Sequence, residues 1–246
     1  MSMPSPQLIG PVPRSTPTPS GAARTRAHEL PRDLQREAST RLATMCLLAA
    51  AVWTVATLFG HVAATMMTGV SIMRQGIEIT DAISILVVAV SIALFVVIRR
   101  GERDPAFVLD LGLWYMVFQA FALGMMFHWY PIPPGFGLKP ELSWIGMLVL
   151  MFAALVPNTP RKMAIASFVA VLMNPLGMFI ADARGTWDFG GAKGIVVMHY
   201  PDFIVAGVAV FISHVVMRLG IQIRKAREMG SYQLGELLGR GGMGEV

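Results

Sequence analysis

Six long apolar runs dominate this sequence, and they restrict what the chain can fold into. They cover residues 42–66, 79–98, 107–127, 142–156, 163–181 and 203–223. A helix needs about 20 apolar residues to cross a hydrocarbon core of about 30 Å, and most of these runs reach that length. Hydrophobic residues make up 54% of the chain and charged residues only 14%. The sequence therefore predicts an all-α membrane protein, with a six-transmembrane-helix bundle over 42–223 in contact with the lipid bilayer.

The fourth run, 142–156, is the shortest, and two interpretations of it stay open. It crosses the membrane in a six-span protein, or it forms a re-entrant segment in a five-span protein. A count of five would place the two ends of the chain on opposite sides of the membrane.

Basic residues between the runs predict the orientation. With a cytoplasmic amino terminus and six spans, the inner segments hold 15 Lys and Arg and the outer loops hold 4, with Arg240 left aside. Cytoplasmic loops carry such an excess, so both termini are predicted to be cytoplasmic. The formal net charge of +5 is spread over these loops rather than clustered on a soluble face, which argues against nucleic-acid binding.

The segments outside the runs have their own character. Residues 1–28 are rich in Pro, Ser and Thr and predict a disordered cytoplasmic tail. Residues 29–41 predict a helix that leads into the first span, and 224–231 predict a juxtamembrane linker. The single cysteine, Cys46, lies inside the first run, so it is interpreted as a small buried hydrophobic residue.

The last 15 residues, 232–246, are less apolar and contain a glycine motif. The pattern G-x-G-x-x-G-x-V falls on Gly239, Gly241, Gly244 and Val246. Glu236 interrupts the apolar stretch before the motif, which disfavours a dinucleotide-binding fold. The β-branched Val246 favours a strand, a flexible turn over phosphates and a returning strand.

This stretch resembles the start of the kinase domain in bacterial Ser/Thr protein kinases of the eukaryotic-like (Hanks) type. The resemblance rests on Tyr232, Leu234 and the sequence LGRGGMGEV, and it covers about 15 residues. It implies a kinase N-lobe and ATP as cofactor, with Mg²⁺ held by residues beyond the chain. By the same resemblance, Leu238 and Val246 would enclose the adenine. The phosphates would lie under Gly239, Arg240, Gly241, Gly242, Met243 and Gly244.

The resemblance also implies what the whole enzyme would be. Its catalytic Asp, Asn and Lys would follow the glycine loop, so we expect a truncated product or incomplete gene model that is itself inactive. The parent would be a membrane-anchored kinase of a bacterial plasma (inner) membrane, with the spans as anchor or signal sensor. Protein substrates and a second copy in a homodimer are the expected partners.

Several polar residues in or beside the runs are candidate functional groups. His61, His128 and His199 fall at predicted outer span ends, where imidazoles suit a shared metal site or a pH switch, or merely tolerate the interface. Asp110 is expected to extend towards water or to pair with Arg103 or Arg218. Gln119 and Asn174 are expected to hydrogen-bond between helices.

A different class of function stays open beside the kinase. The alternative is a non-enzymatic six-span protein for transport or ligand binding, and a purely structural anchor is a third interpretation. Transporters often have paired broken helices and charged residues near the bilayer centre. These runs contain one clear mid-span proline, Pro175, and no acidic residue near a bilayer centre, which weighs against a transport function.

Overall fold

The computed structural model describes residues 32–130, 140–156, 158–186, 191–230, 240–241 and 244–245. The expected disordered tail, 1–28, lies outside these residues, as does most of the 232–246 segment. Six α-helices account for most of the described chain. They are α1 (Arg32–Thr68), α2 (Ile79–Arg100), α3 (Pro105–Phe127), α4 (Trp144–Leu155), α5 (Pro160–Ala183) and α6 (Ala192–Gly230).

Five of these helices are long and apolar enough to cross a membrane, and α4, with 12 residues, is the short one. Large apolar side chains such as Phe59, Ile85, Trp114, Ile165 and Phe211 are exposed on the outer faces of the bundle. In a bilayer these side chains contact lipid tails. The prediction of an all-helical, multi-pass membrane fold is therefore confirmed.

Helices α3 and α5 begin in the same way because their sequences begin in the same way. Each has proline at its first position, where the missing N–H costs no hydrogen bond. Asp104 Oδ1 accepts from the Ala106 amide at 3.2 Å, and Thr159 Oγ1 accepts from the Lys162 amide at 3.5 Å. These caps fix where both helices start.

Helices α3 and α5 also run parallel to each other. They meet near their starts, where Lys162 Nζ contacts the Asp110 carboxylate, and at their far ends, where the Arg184 guanidinium stacks on the Trp129 ring at 3.5 Å. Between these points Gly124 and Gly177 bring the two backbones into contact. The chain therefore returns from one end of the bundle to the other between α3 and α5, and α4 is the described helix in that stretch.

Helix α4 lies along the middle of α6. The Ser143 amide, before α4, bonds Asp202, and the Asn158 carbonyl, after α4, accepts from Ser213 Oγ at 2.9 Å. Helix α6 is longer than the expected sixth run, 203–223, because it starts at Ala192 and continues through most of the expected linker to Gly230. Towards the C-terminal end of α6, Gly220 packs against Leu34 of α1. The first turns of α1 therefore lie beside the last part of α6.

A buried polar network joins α1, α2 and α3. The Trp53 indole donates to Gln119 Oε1 at 2.8 Å, and Gln119 Nε2 donates to the Tyr115 hydroxyl at 2.6 Å. That hydroxyl lies 2.6 Å from Ser91 Oγ. The prediction that Gln119 bonds between helices is confirmed, and Cys46 is buried as expected.

The expected kinase N-lobe is a wrong prediction. In the described residues the only strands are β1 (Arg240–Gly241) and β2 (Gly244–Glu245), an antiparallel pair in which Arg240 faces Glu245. This pair lies inside the glycine segment, whereas a kinase needs a full strand on each side of its loop. Two residues per strand do not make a sheet that could hold a nucleotide.

Candidate functional site

Asp202 is a carboxylate buried within the helical bundle. Its exposed fraction is 0%, and it lies in α6 between the ends of that helix. Its Oδ1 accepts from the Ser143 amide at 3.0 Å, and its Oδ2 accepts from Asn174 Nδ2 at 3.2 Å. Because Asn174 stands nine residues before the end of α5, about 14 Å along the helix, the carboxylate lies well below the bundle surface.

The N-terminus of α4 faces this carboxylate. Ser143 caps α4, since its Oγ accepts from the Ile145 and Gly146 amides at 3.1 and 3.4 Å. The partial positive charge of the helix start stabilises the negative charge of Asp202. A Cβ on Gly146 would lie 2.9 Å from Asp202 Oδ1, so the approach of the two groups requires a glycine or a shift of the side chain.

Pro201 loosens the backbone of α6 beside the site. It lies inside the helix and lacks the N–H that would bond the Val197 carbonyl one turn earlier. The next carbonyl, on Met198, accepts from the Glu141 amide at 3.3 Å, outside its own helix. Backbone oxygens near Asp202 are thus available to groups other than the helix itself.

Two of the three predicted histidines come together next to this site. The rings of His128 and His199 are 6.2 Å apart, edge to face, and both side chains are buried. His128 Nδ1 donates to the Gly124 carbonyl at 2.8 Å, and His199 Nε2 lies 2.8 Å from Met178 Sδ. At the end of α3, burial lowers the pKa of His128 below its ordinary value, which favours the neutral ring.

The third histidine, His61, belongs to a different contact. Its Nδ1 lies 2.7 Å from Gln75 Oε1 and its Nε2 lies 2.9 Å from Asp81 Oδ1, at the turn between α1 and α2. Over the part of the chain that the structure describes, no group of three or more His, Cys, Asp or Glu residues is placed to hold a metal. The structure therefore does not support a metal site shared by His61, His128 and His199.

Asp110 has a partner that differs from the expected ones. Lys162 Nζ lies 2.5 Å from its Oδ1 and 2.7 Å from its Oδ2. Pairing with Arg103 or Arg218 is a wrong expectation, because the parallel packing of α3 and α5 brings Lys162 to Asp110. The alternative, a carboxylate that extends towards water, agrees with its 45% exposure. Asn174, in contrast, bonds between helices as expected.

The residues expected to bind ATP contribute little to the described structure. Leu238, Gly239, Gly242, Met243 and Val246 lie outside the described residues, and Arg240, Gly241 and Gly244 belong to the two-residue strands. No protein-family model, curated protein or solved structure matches the chain. The resemblance to a kinase therefore has no support in either the fold or the comparisons.

The sequence interpretation missed Asp202 because the sixth span was expected to start one residue later, at 203. An available signal was the apolar stretch IVVMHY, 195–200, which continues the run before Pro201. Proline in mid-span is tolerated where neighbouring groups satisfy the backbone, so it need not have ended the span. With that extension, Asp202 would have been recognised as an intramembrane acid.

Proposed function

We propose that this chain is a non-enzymatic membrane protein for transport or ligand binding, and that Asp202 binds its ligand, a small cation or a proton. The observation that carries the proposal is the complete burial of an ionisable side chain inside a helical membrane bundle. Such residues are costly in a membrane and are typical of ion pathways and proton relays.

The chemistry around Asp202 favours a cationic ligand. A carboxylate offers about four lone-pair positions, and Ser143 and Asn174 occupy two of them. Pro201 leaves a backbone carbonyl on the same helix without its helical donor. Carboxylate oxygens and backbone carbonyls that lack a helical donor are groups that coordinate ions in many transporters.

We also infer six crossings, with both termini in the cytoplasm and the protein in the plasma membrane. The parallel directions of α3 and α5 support a crossing by α4, although that helix is short. The contact between Leu34 and Gly220 supports an even number of crossings, since it joins the start of α1 to the end of α6. The distribution of 15 against 4 basic residues supports the orientation.

The first experiment compares thermal unfolding of the wild type and Asp202→Asn in detergent. Tm is measured in the chlorides of sodium, potassium, lithium and ammonium at constant ionic strength, and then over a pH series. A ligand that binds only the folded state raises the unfolding free energy by RT ln(1 + [L]/Kd), and each kcal/mol of that increase raises Tm by about 2–4 °C. We expect at least one cation, or protonation, to shift Tm more in the wild type than in Asp202→Asn.

Asparagine is the matched replacement because its side-chain oxygen still accepts from the Ser143 amide while the charge is removed. Asp110→Asn is the control, because it also removes a carboxylate that contacts α5. This variant should retain the wild-type dependence of Tm on cations and pH. Equal dependence of Tm on cations and pH in the wild type and Asp202→Asn would rule out a ligand at Asp202.

A further inference from the structure

A groove of about 250 Å³ opens between the first turns of α3 and α5, on the outer face of the bundle. Its walls are apolar and come from both helices. They are formed mainly by Leu113, Val117, Ile165, Ala166 and Val169. Trp114 lies on the rim with 73% of its surface exposed, so the groove faces the surrounding lipid rather than the bundle interior.

One end of the groove is charged. Asp110 and Lys162 lie there, and their side chains are 45% and 49% exposed despite their ion pair. Lys162 stands two residues after the start of α5, about 3 Å along the helix, and Asp110 about 8 Å into α3. The pair thus lies near the helix starts, at the depth where lipid headgroups meet hydrocarbon.

The ion pair retains capacity to bind a second pair of charges. An ammonium has three N–H donors and a carboxylate about four acceptor positions, so one pairing leaves part of each available. A zwitterion whose anionic part approaches Lys162 and whose cationic part approaches Asp110 matches this arrangement. Two opposite charges at the mouth of an apolar groove are complementary to a lipid with both charges in its head.

We propose that this groove binds one phospholipid with an ethanolamine head. The phosphate accepts from Lys162, the primary ammonium donates to Asp110, and an acyl chain lies along Leu113, Val117 and Ile165. A choline head carries no N–H and cannot donate to Asp110, and a glycerol head has no cation for it. The groove therefore selects ethanolamine over choline and glycerol heads, independently of any ligand at Asp202.

The test uses fluorescence quenching by brominated acyl chains. Full-length protein is reconstituted in phosphatidylcholine vesicles that contain a minor fraction of brominated phosphatidylethanolamine, phosphatidylcholine or phosphatidylglycerol. The chain has five tryptophans, so the signal of Trp114 is obtained as the difference between the wild type and Trp114→Phe. We expect the ethanolamine lipid to occupy the groove with about tenfold preference over the choline lipid, as one charged hydrogen bond would give.

Substitutions of the two charged residues are expected to change lipid binding in different ways. Asp110→Asn removes the negative charge that attracts the ammonium, so the preference for ethanolamine should be lost while the anionic glycerol lipid gains through Lys162. Lys162→Gln removes the positive charge that attracts the phosphate, which all three heads carry, so quenching of Trp114 should fall for all three lipids while the preference for ethanolamine over choline, set by Asp110, remains. Glu37→Gln is the control, because it breaks another exposed ion pair, with Arg41, away from the groove.

Two results would overturn the proposal. Equal quenching of Trp114 by the three brominated lipids in the wild type would mean that the groove is ordinary lipid-facing surface. Strongest quenching by phosphatidylglycerol would mean that Lys162 binds anions without help from Asp110. Both comparisons use the wild type and Trp114→Phe, a conservative change at an exposed position, so neither depends on whether a charge variant folds.

Discussion

Asp202 and its two partners illustrate how single residues make a charge tolerable inside this bundle. An isolated carboxylate in a low-dielectric interior is very costly, whereas here one oxygen meets a backbone amide and the other meets an amide side chain. The start of α4 adds a favourable dipole at the same point. These contacts reduce the free-energy cost of burying Asp202. The carboxylate still has acceptor positions with which it could bind a cation.

His128 gives a prediction of pH dependence at the same scale. Burial lowers the pKa of the His128 imidazole in the folded protein below its value in the unfolded chain. As the pH falls, the unfolded chain therefore takes up a proton first. Stability attributable to His128 is intact above about pH 6.5 and falls below it, by up to about 1.4 kcal/mol per pH unit, until the folded state also protonates.

The measurement is the Tm of the wild type and His128→Gln between about pH 7.5 and pH 5. The wild type should lose more stability than the variant, because glutamine does not titrate. His199 and Asp202 face the same region, so only the difference between the two proteins is attributed to His128. The values near pH 7.5 provide the baseline for any effect of the substitution itself. Parallel curves for the two proteins over the whole range would contradict the prediction.

At the scale of elements, the crossing of α3 and α5 depends on two glycines. A Cβ on Gly177 would collide with the Gly124 carbonyl, and a Cβ on Gly124 would collide with the Met173 carbonyl. Backbone atoms cannot move aside as a flexible side chain can. Small residues at such crossings let membrane helices approach closely, and here Gly177 also leaves room for the His128 ring, whose Nδ1 would lie 3.1 Å from an added Cβ.

Gly177→Ala should therefore separate α3 from α5 and destabilise the folded protein by about 1–3 kcal/mol, as overpacked interfaces do. Gly207→Ala is the matched control, because Gly207 is also helical and nothing lies within 4 Å of an added Cβ. The control should be neutral or slightly stabilising, since alanine favours helix more than glycine does. Thermal unfolding in one detergent measures both, and an equal Tm for the two variants would contradict the close crossing.

At the scale of the whole molecule, the path of the chain depends on the shortest helix. Because α3 and α5 start at the same end of the bundle, the residues between them must return to that end. Helix α4 rises only about 18 Å, less than the hydrocarbon thickness, and yet it connects the level of Asp202 to that of Ser213. A short helix of this kind is expected where neighbouring helices shield its ends from lipid.

Single-cysteine labelling tests the six crossings. In a Cys46→Ser background, cysteines replace Glu141 and Arg161, on either side of α4, and sealed right-side-out vesicles are treated with a membrane-impermeant maleimide. Glu141→Cys should react at once, and Arg161→Cys only after permeabilisation. Ile77→Cys and Glu102→Cys, in the turns flanking α2, are the outer and inner controls. Labelling of both test positions from the same side would make α4 re-entrant and the number of crossings odd.

The sequence by itself determined the helical, membrane-spanning character of this protein and the approximate position of each helix. Hydropathy is a property of neighbouring residues, so the apolar runs could be recognised locally, although the Asp104-Pro105 and Thr159-Pro160 starts lie before the runs expected at 107 and 163. The same locality misled the interpretation of the glycine motif, because a spacing of glycines fits many turns unless strands of sufficient length surround it.

Only the tertiary structure decided which polar groups meet. Asp110 and Lys162 are 52 residues apart in sequence, and Asp202 and Ser143 are 59 apart. Their meeting depends on the parallel course of α3 and α5 and on the depth at which α4 begins, neither of which is encoded in a local pattern. Packing over such sequence distances is set by the shapes of whole helix faces, which is why the partners of the buried carboxylate and the charged groove emerged only from the assembled bundle.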